Sequence, residues 1–209
     1  MRPSGRERAY DFLKKEVLSD PDMQGKFINE QDLADRIGGV SRTPIREALL
    51  MLAAQDLVQL VPKRGAYIAP MSSRELRELM GMRGVIERHA ATALLDWEAT
   101  ADEMQEAMLA QHKLKSATQT KEFIEMDTRF HTALVRAAGN SLLTKTYEGL
   151  RDRQVTAGLM ALSRAHGRQQ TVLAEHAAIV NALRAGDTPA AIRAIDTHLE
   201  TTLKIQLMT

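Results

Sequence analysis

The chain has 209 residues, room for two small domains or one larger one. It contains no cysteine, which excludes disulfides, thiol catalysis and cysteine-type zinc fingers. Formal net charge is only +1, so no broad basic field advertises nucleic acid binding. Aromatics make up 4% of residues, so the core must be largely aliphatic, and the 11 Met suit adaptable helix packing. No apolar run approaches membrane-spanning length and no signal-like stretch opens the chain. A cytoplasmic location without a membrane partner is the default expectation.

In chain order, Arg6 to Leu18 reads as an amphipathic helix with Ala9, Phe12, Leu13 and Val17 inward, broken by Ser19-Asp20-Pro21-Asp22. A short helix over Glu30 to Ile37 follows, with Leu33, Ala34 and Ile37 inward, and then a Gly38-Gly39 turn. The run Val40-Ser41-Arg42-Thr43-Pro44-Ile45-Arg46-Glu47-Ala48-Leu49 predicts a second helix whose start is held by Ser41, Thr43 and Pro44. Proline is tolerated there because first-turn N–H groups have no intrahelical acceptor. Ile45, Ala48, Leu49 and Leu52 recur at helical spacing and form its buried face. Arg42, Thr43 and Arg46 remain at its exposed tip. Leu57–Val61 and Ala66–Ala69 read as strands around a Pro62-Lys63-Arg64-Gly65 turn.

Two exposed arginines on a helix are ordinarily a solvated face. Helix-turn-helix followed by a hairpin changes that, because it is the grammar of a winged helix that reads double-stranded DNA. Residues Arg42 to Arg64 hold four basic and two acidic side chains. Affinity is therefore expected from a few aimed contacts and from dimerisation. Asn29 to Pro70 resembles the DNA-binding domain of GntR-type bacterial transcription regulators, most specifically in Ser-Arg-Thr-Pro-x-Arg-Glu-Ala-Leu. The resemblance implies DNA contacts from Arg42, Thr43, Arg46, Arg64 and Gly65, and the hairpin reading adds Lys63 at the wing tip. The chain departs from that pattern with its doubled Gly38-Gly39 and with Gln31 where the family often has arginine.

Pro70 to Ser73 reads as a boundary, with Ser72 or Ser73 capping the next helix. Helices are expected over Glu75–Asp96, Ala101–Ala117, Thr120–Ala138, Ser141–Leu162, Gln169–Ala185 and Thr188–Leu207. No strand-like alternation appears among them. The expected architecture is mostly α: a winged helix-turn-helix over 1–70 and an all-α helical bundle over 74–209. The bundle resembles the ligand-sensing FCD domain found behind GntR winged helices in the FadR subfamily. Its six expected helices resemble the shorter, VanR-like branch.

Asp127 and His131, four apart, share a helix face with Phe123, Phe130 and Leu134. His176 lies among Leu173, Ile179, Val180 and Leu183; His198 lies beside Ile195 and Leu199. A lone inward histidine is more often a hydrogen-bonded core residue than a ligand. A buried carboxylate without a partner is harder to dismiss. One carboxylate and three imidazoles suit a divalent transition metal with positions left open. Asp-x-x-Phe-His, then Glu-His, then His-Leu also resembles the metal-binding motif of FCD domains. That resemblance implies Asp127, His131, His176 and His198 as ligands of Zn²⁺ or Ni²⁺, with Mn²⁺ and Fe²⁺ as alternatives. It also implies a small carboxylic-acid effector and Arg83 as its partner. The alternative for Arg83 is an ion pair with Glu87, its i+4 neighbour. Arg153 and Arg164 are weaker candidates, and His89, His112 and His166 receive no role. The leading reading is a homodimeric repressor controlled by an acid effector. A metal-free sensor and a metal-dependent hydrolase are the alternatives.

Overall fold

The computed structural model describes residues 3–18, 20–114 and 117–208. Ser19, Lys115, Ser116 and the extreme termini, which the sequence reading also touched, lie outside the described residues. The chain divides into two compact units, Met1–Met71 and Ser72–Thr209.

In the first unit, α1 (Gly5–Phe12) starts with a capping box. Ser4 accepts from the Glu7 amide, and the Glu7 side chain accepts from the Ser4 amide. The expected helix to Leu18 continues as a π-helical segment, Leu13–Leu18. It keeps Leu13, Val17 and Leu18 buried in the same core as Ala9. The α2 helix (Glu30–Ile37) is capped at its start by Asn29. Its C-terminal carbonyls are met by the Arg8 guanidinium, 2.7 Å from Gly38 O and 3.3 Å from Ile37 O. Gly38 and Gly39 both adopt positive φ, a turn that side-chain-bearing residues would strain. The α3 helix (Arg42–Ala53) buries Ile45, Ala48, Leu49 and Leu52, as the spacing requires. Ser41 occupies the N-cap position but makes no side-chain capping bond, so Pro44 and the buried face hold the helix start without it.

The hairpin is β2 (Gln59–Val61) and β3 (Gly65–Tyr67), shorter than expected at both strands. A third strand, β1 (Phe27–Ile28), completes an antiparallel sheet in the order β1-β3-β2. Two residues leave no periodicity to read, which is why β1 is invisible in the sequence. Gly65, at φ +94°, packs so close to β1 that a Cβ would stand 3.1 Å from the Ile28 carbonyl oxygen.

The second unit is all-helical: α4 (Ser73–Thr92), α5 (Trp97–His112), α6 (Thr120–Ala137), α7 (Ser141–Glu148), α8 (Arg151–Arg164), α9 (Arg168–Arg184) and α10 (Thr188–Leu207). Ser72 starts α4 with a capping box to Glu75. The segment expected as one helix over 141–162 divides at Gly149-Leu150, so seven α-helices replace six. The VanR-like reading loses its support from helix number. A tight turn bonds Leu150 N–H to Tyr147 O, and a Cβ at Gly149 would stand 3.2 Å from Thr146 O. The backbone there stays near helical values, so no strong breaker marks the division. α5 packs on α6 and α9, and α10 on α9 and α4. Phe123, Phe130 and Leu134 on α6, Ile179 on α9 and Ile195 on α10 are fully buried. Each such side chain contributes about 1.5–3 kcal/mol of burial. This packing fixes the helices that carry the polar cluster.

Candidate metal centre and nucleic-acid interface

Asp127 and His131 on α6, His176 on α9 and His198 on α10 converge. One ligand-type atom from each lies within 4.8 Å of all the others. The three histidines are at most 2% exposed. Their ring centroids form a near-equilateral triangle with sides of 4.9, 5.1 and 5.1 Å. Phe130 stacks on His176 at 3.8 Å and fixes its ring plane.

Each imidazole turns Nδ1 outward to a different partner. His176 Nδ1 lies 3.0 Å from Gln111 Oε1. The Gln111 amide nitrogen faces the Phe123 carbonyl at 3.3 Å and Asp127 Oδ1 at 3.5 Å, so its oxygen is the end that accepts from His176. His198 Nδ1 donates to Glu175 Oε2 at 2.7 Å. His131 Nδ1 lies 3.0 Å from Glu87 Oε2, at ion-pair distance but without good hydrogen-bond alignment. The two carboxylates are themselves held by buried arginines. Arg83 Nε donates to Glu87 Oε1 at 2.8 Å, and Tyr147 Oη donates to the same oxygen at 2.7 Å. Arg168 donates to Glu175 Oε1 at 2.8 Å and to Thr202 Oγ1 at 2.7 Å.

These outer partners leave the Nε2 atoms on the inner side with Asp127. His176 Nε2 is 3.4 Å from Asp127 Oδ1, and His131 Nε2 is 3.9 Å from Oδ2. Among the described residues, both Nε2 atoms are buried without a hydrogen-bond partner. Burial pushes the His176 imidazole well below its ordinary value, helped by the neighbouring imidazoles, and burial likewise lowers His198. The His176 and His198 rings are therefore poised to be neutral, with a lone pair turned inward. Burial would raise the Glu87 carboxyl, but Arg83 first and then His131 outweigh it and hold the group ionised. Burial opposes the charge on Arg83 too, and Glu87 overrides it.

The first unit carries a different face. Arg42, Thr43 and Arg46 are exposed at the start of α3, and Lys63 and Arg64 are exposed at the hairpin turn. Arg42 Nε donates to Gln31 Oε1 at 3.0 Å, and Arg46 Nε donates to both Glu30 oxygens at 3.0 and 2.8 Å. The Arg64 guanidinium sits over the Phe27 ring, 4.2 Å from its centroid. Lys63 takes φ +62° at the turn.

Known proteins match both units. Residues 78–201 match the FCD domain, and residues 6–68 match the bacterial regulatory proteins of the gntR family. The chain belongs to the GntR family of bacterial transcription regulators. An HTH-type transcriptional regulator from an unstable DNA locus of Streptomyces ambofaciens is 30% identical over 199 residues, 94% of this chain and 82% of that one. The transcriptional repressor RspR of Escherichia coli K12 is 27% identical over 198 residues, 93% and 85% of the two chains. The fold also matches the crystal structure of a GntR regulator from Rhodococcus sp. RHA1. That match has a TM-score of 0.80 at 23% identity and covers 98% of each chain. These relatives are transcription regulators rather than enzymes, so the hydrolase alternative lapses.

Within the regulator, all four expected ligand positions come together. Arg83 makes the ion pair with Glu87 that the spacing allowed, yet its Nη2 is buried without a partner among the described residues. Arg164 instead binds the carbonyl oxygens of Gln206 and Met208 near the end of the chain. His89, His112 and His166, which receive no role, are all exposed. Sequence reasoning gave no role at the site to Gln111, Tyr147, Arg168 and Glu175. Only Glu175, beside His176 in the Glu-His pair, carried a local signal. No helix among the described residues is long and apolar enough to cross a membrane.

Proposed function

We propose that this regulator is a homodimeric repressor whose affinity for a palindromic operator is set by a small organic acid bound in the helical unit, beside a divalent metal. The observation that carries the metal reading is the outward turn of the three Nδ1 atoms, hydrogen-bonded to Gln111 on His176 and to Glu175 on His198 and 3.0 Å from Glu87 on His131, with the buried, unpartnered Nε2 atoms of His131 and His176 left facing Asp127. Metal-ligating histidines are oriented this way by their second ring nitrogen. A metal-free hydrogen-bonded network is disfavoured by the same atoms, since a buried unsatisfied polar atom costs about 1–3 kcal/mol. Asp127, His131, His176 and His198 would hold the ion. Three imidazoles and one carboxylate favour Zn²⁺ or Ni²⁺, with Mn²⁺ and Fe²⁺ next. When bound, the ion supplies positive charge and open positions for an oxygen donor.

The charge balance supports an anionic effector. Arg83 is neutralised by Glu87 and Arg168 by Glu175, so Asp127 is the one ligand carboxylate set against a divalent ion. The site would carry a net positive charge, which a carboxylate would offset. The unpartnered Arg83 Nη2 offers that carboxylate a charge-assisted hydrogen bond. Arg83 and Glu87 lie on α4, which begins directly after the boundary between the units. An effector that draws on Arg83 would act on that helix. It shifts operator affinity only if it binds the two states of the regulator differently. Arg42, Thr43, Arg46, Lys63, Arg64 and Gly65 would contact the operator, in the cytoplasm. Repression is supported by the relative RspR, which is a repressor.

A thermal-shift screen of small organic acids with Zn²⁺ or Ni²⁺ present tests the effector reading. A binding acid raises the transition temperature by mass action, and Arg83→Ala weakens the shift. If acids shift the wild type and Arg83→Ala equally, the Arg83 assignment is wrong.

A further inference from the structure

The exposed arginines of α3 are not free tips. Arg46 is 66% exposed along its side chain, yet its Nε is held by both oxygens of Glu30. Arg42 is held the same way by Gln31 Oε1, and the Gln31 amide is aimed by its own bond to Asp35 Oδ1 at 3.1 Å. Both contacts come from the first turn of α2 and both engage Nε. Among the described residues, no Nη atom of either arginine has a hydrogen-bond partner. The end-on Nη pair is a fork of parallel donors, the shape that matches guanine O6 and N7. All four residues line one open groove of about 830 Å³, and Lys63 and Arg64 on the hairpin also line it.

We infer that Glu30 and Gln31 are specificity-determining residues of DNA recognition, acting as positioning residues that fix the forks of Arg46 and Arg42. The inference rests on the reading of α3 as the DNA-contacting helix. A long arginine side chain loses considerable rotamer freedom when it binds. Holding Nε in the free protein removes part of that cost for the one base geometry that fits. It removes nothing for phosphates, which accept a guanidinium from many directions. Glu30 adds a second effect. Its carboxylate stands on a face that meets polyanionic DNA, so it opposes binding wherever Arg46 does not compensate with a base contact. Gln31 is neutral and lacks that effect. The two residues should therefore sharpen sequence choice in distinguishable ways.

The test is selection from a randomised duplex library by the full chain. Titrations of the selected site and of a shuffled duplex follow. Glu30→Ala should lower the ratio of specific to non-specific affinity about tenfold. It should also raise affinity for the shuffled duplex roughly two- to fivefold, from the lost repulsion. Gln31→Ala should lower the ratio while leaving the shuffled duplex unchanged. Glu30→Gln, which keeps one acceptor, should restore part of the sequence preference. Damage to the fold would lower both affinities together, so the signature is unchanged thermal stability with opposite movements for Glu30→Ala and with a loss on the selected site alone for Gln31→Ala. If Glu30→Ala and Gln31→Ala select the same sequences with the same ratio as wild type, the inference is wrong. If the wild type enriches no sequence at all, the DNA-contact assignment of α3 fails and the inference falls with it.

Discussion

The two units hold their polar groups in opposite ways. On the first, the exposed Arg42, Arg46 and Arg64 each have one internal partner, Gln31, Glu30 and Phe27 respectively. In the second, Arg83, Glu87, His131, Gln111, His176, His198 and Arg168 are buried and joined in networks. Exposed groups remain solvated with or without a partner, so their contacts aim them without stabilising the fold much. Buried groups have no water to fall back on, so every missing partner is costly. The first face should therefore tolerate substitution in stability but not in binding. The second should respond in stability first.

Glu87 should show the largest effect. Glu87→Ala strands the buried Arg83 guanidinium, Tyr147 and His131 together. Breaking a buried pair from one side costs about 3–5 kcal/mol. Denaturant unfolding should show that loss, and a change below 1 kcal/mol would break the contrast between the units. Arg46→Ala should reverse the pattern. It should lose about 1–3 kcal/mol of specific DNA affinity while stability moves by less than about 0.5 kcal/mol. Equal losses in both would make Arg46 a structural residue. Gly65→Ala sits between them. It forces a side chain to φ +94° and toward the Ile28 carbonyl, costing about 1–2 kcal/mol and loosening the hairpin that carries Arg64. Ser72→Ala is the smallest, about 1 kcal/mol from the lost cap of α4, with DNA affinity unchanged in the absence of effector.

The same contrast explains what the sequence disclosed. Helix spacing showed α2, α3 and α10 because each has a buried stripe at regular intervals. It also showed that Asp127, His131, His176 and His198 face inward. It did not show that Gln111, far along the chain on α5, bridges His176 and Asp127, because nothing local marks a glutamine as buried. Arg168 was hidden for a similar reason. Most helix arginines are surface residues, and its burial comes with the tertiary approach of Thr202 from α10, beside Glu175 two turns along its own helix. The division between α7 and α8 escaped because the turn keeps near-helical backbone angles. It matters to the site, since the buried Tyr147 that bonds Glu87 lies at the end of α7.

The most direct test of the account is the metal content of the regulator purified without an affinity tag, beside His176→Ala and Asp127→Ala prepared identically. Near one transition-metal ion per wild-type chain, lost in both variants, with wild-type stability falling on addition of a chelator, is the expected result. Wild-type protein without stoichiometric metal, whose stability neither a chelator nor added Zn²⁺ or Ni²⁺ changes, would contradict it.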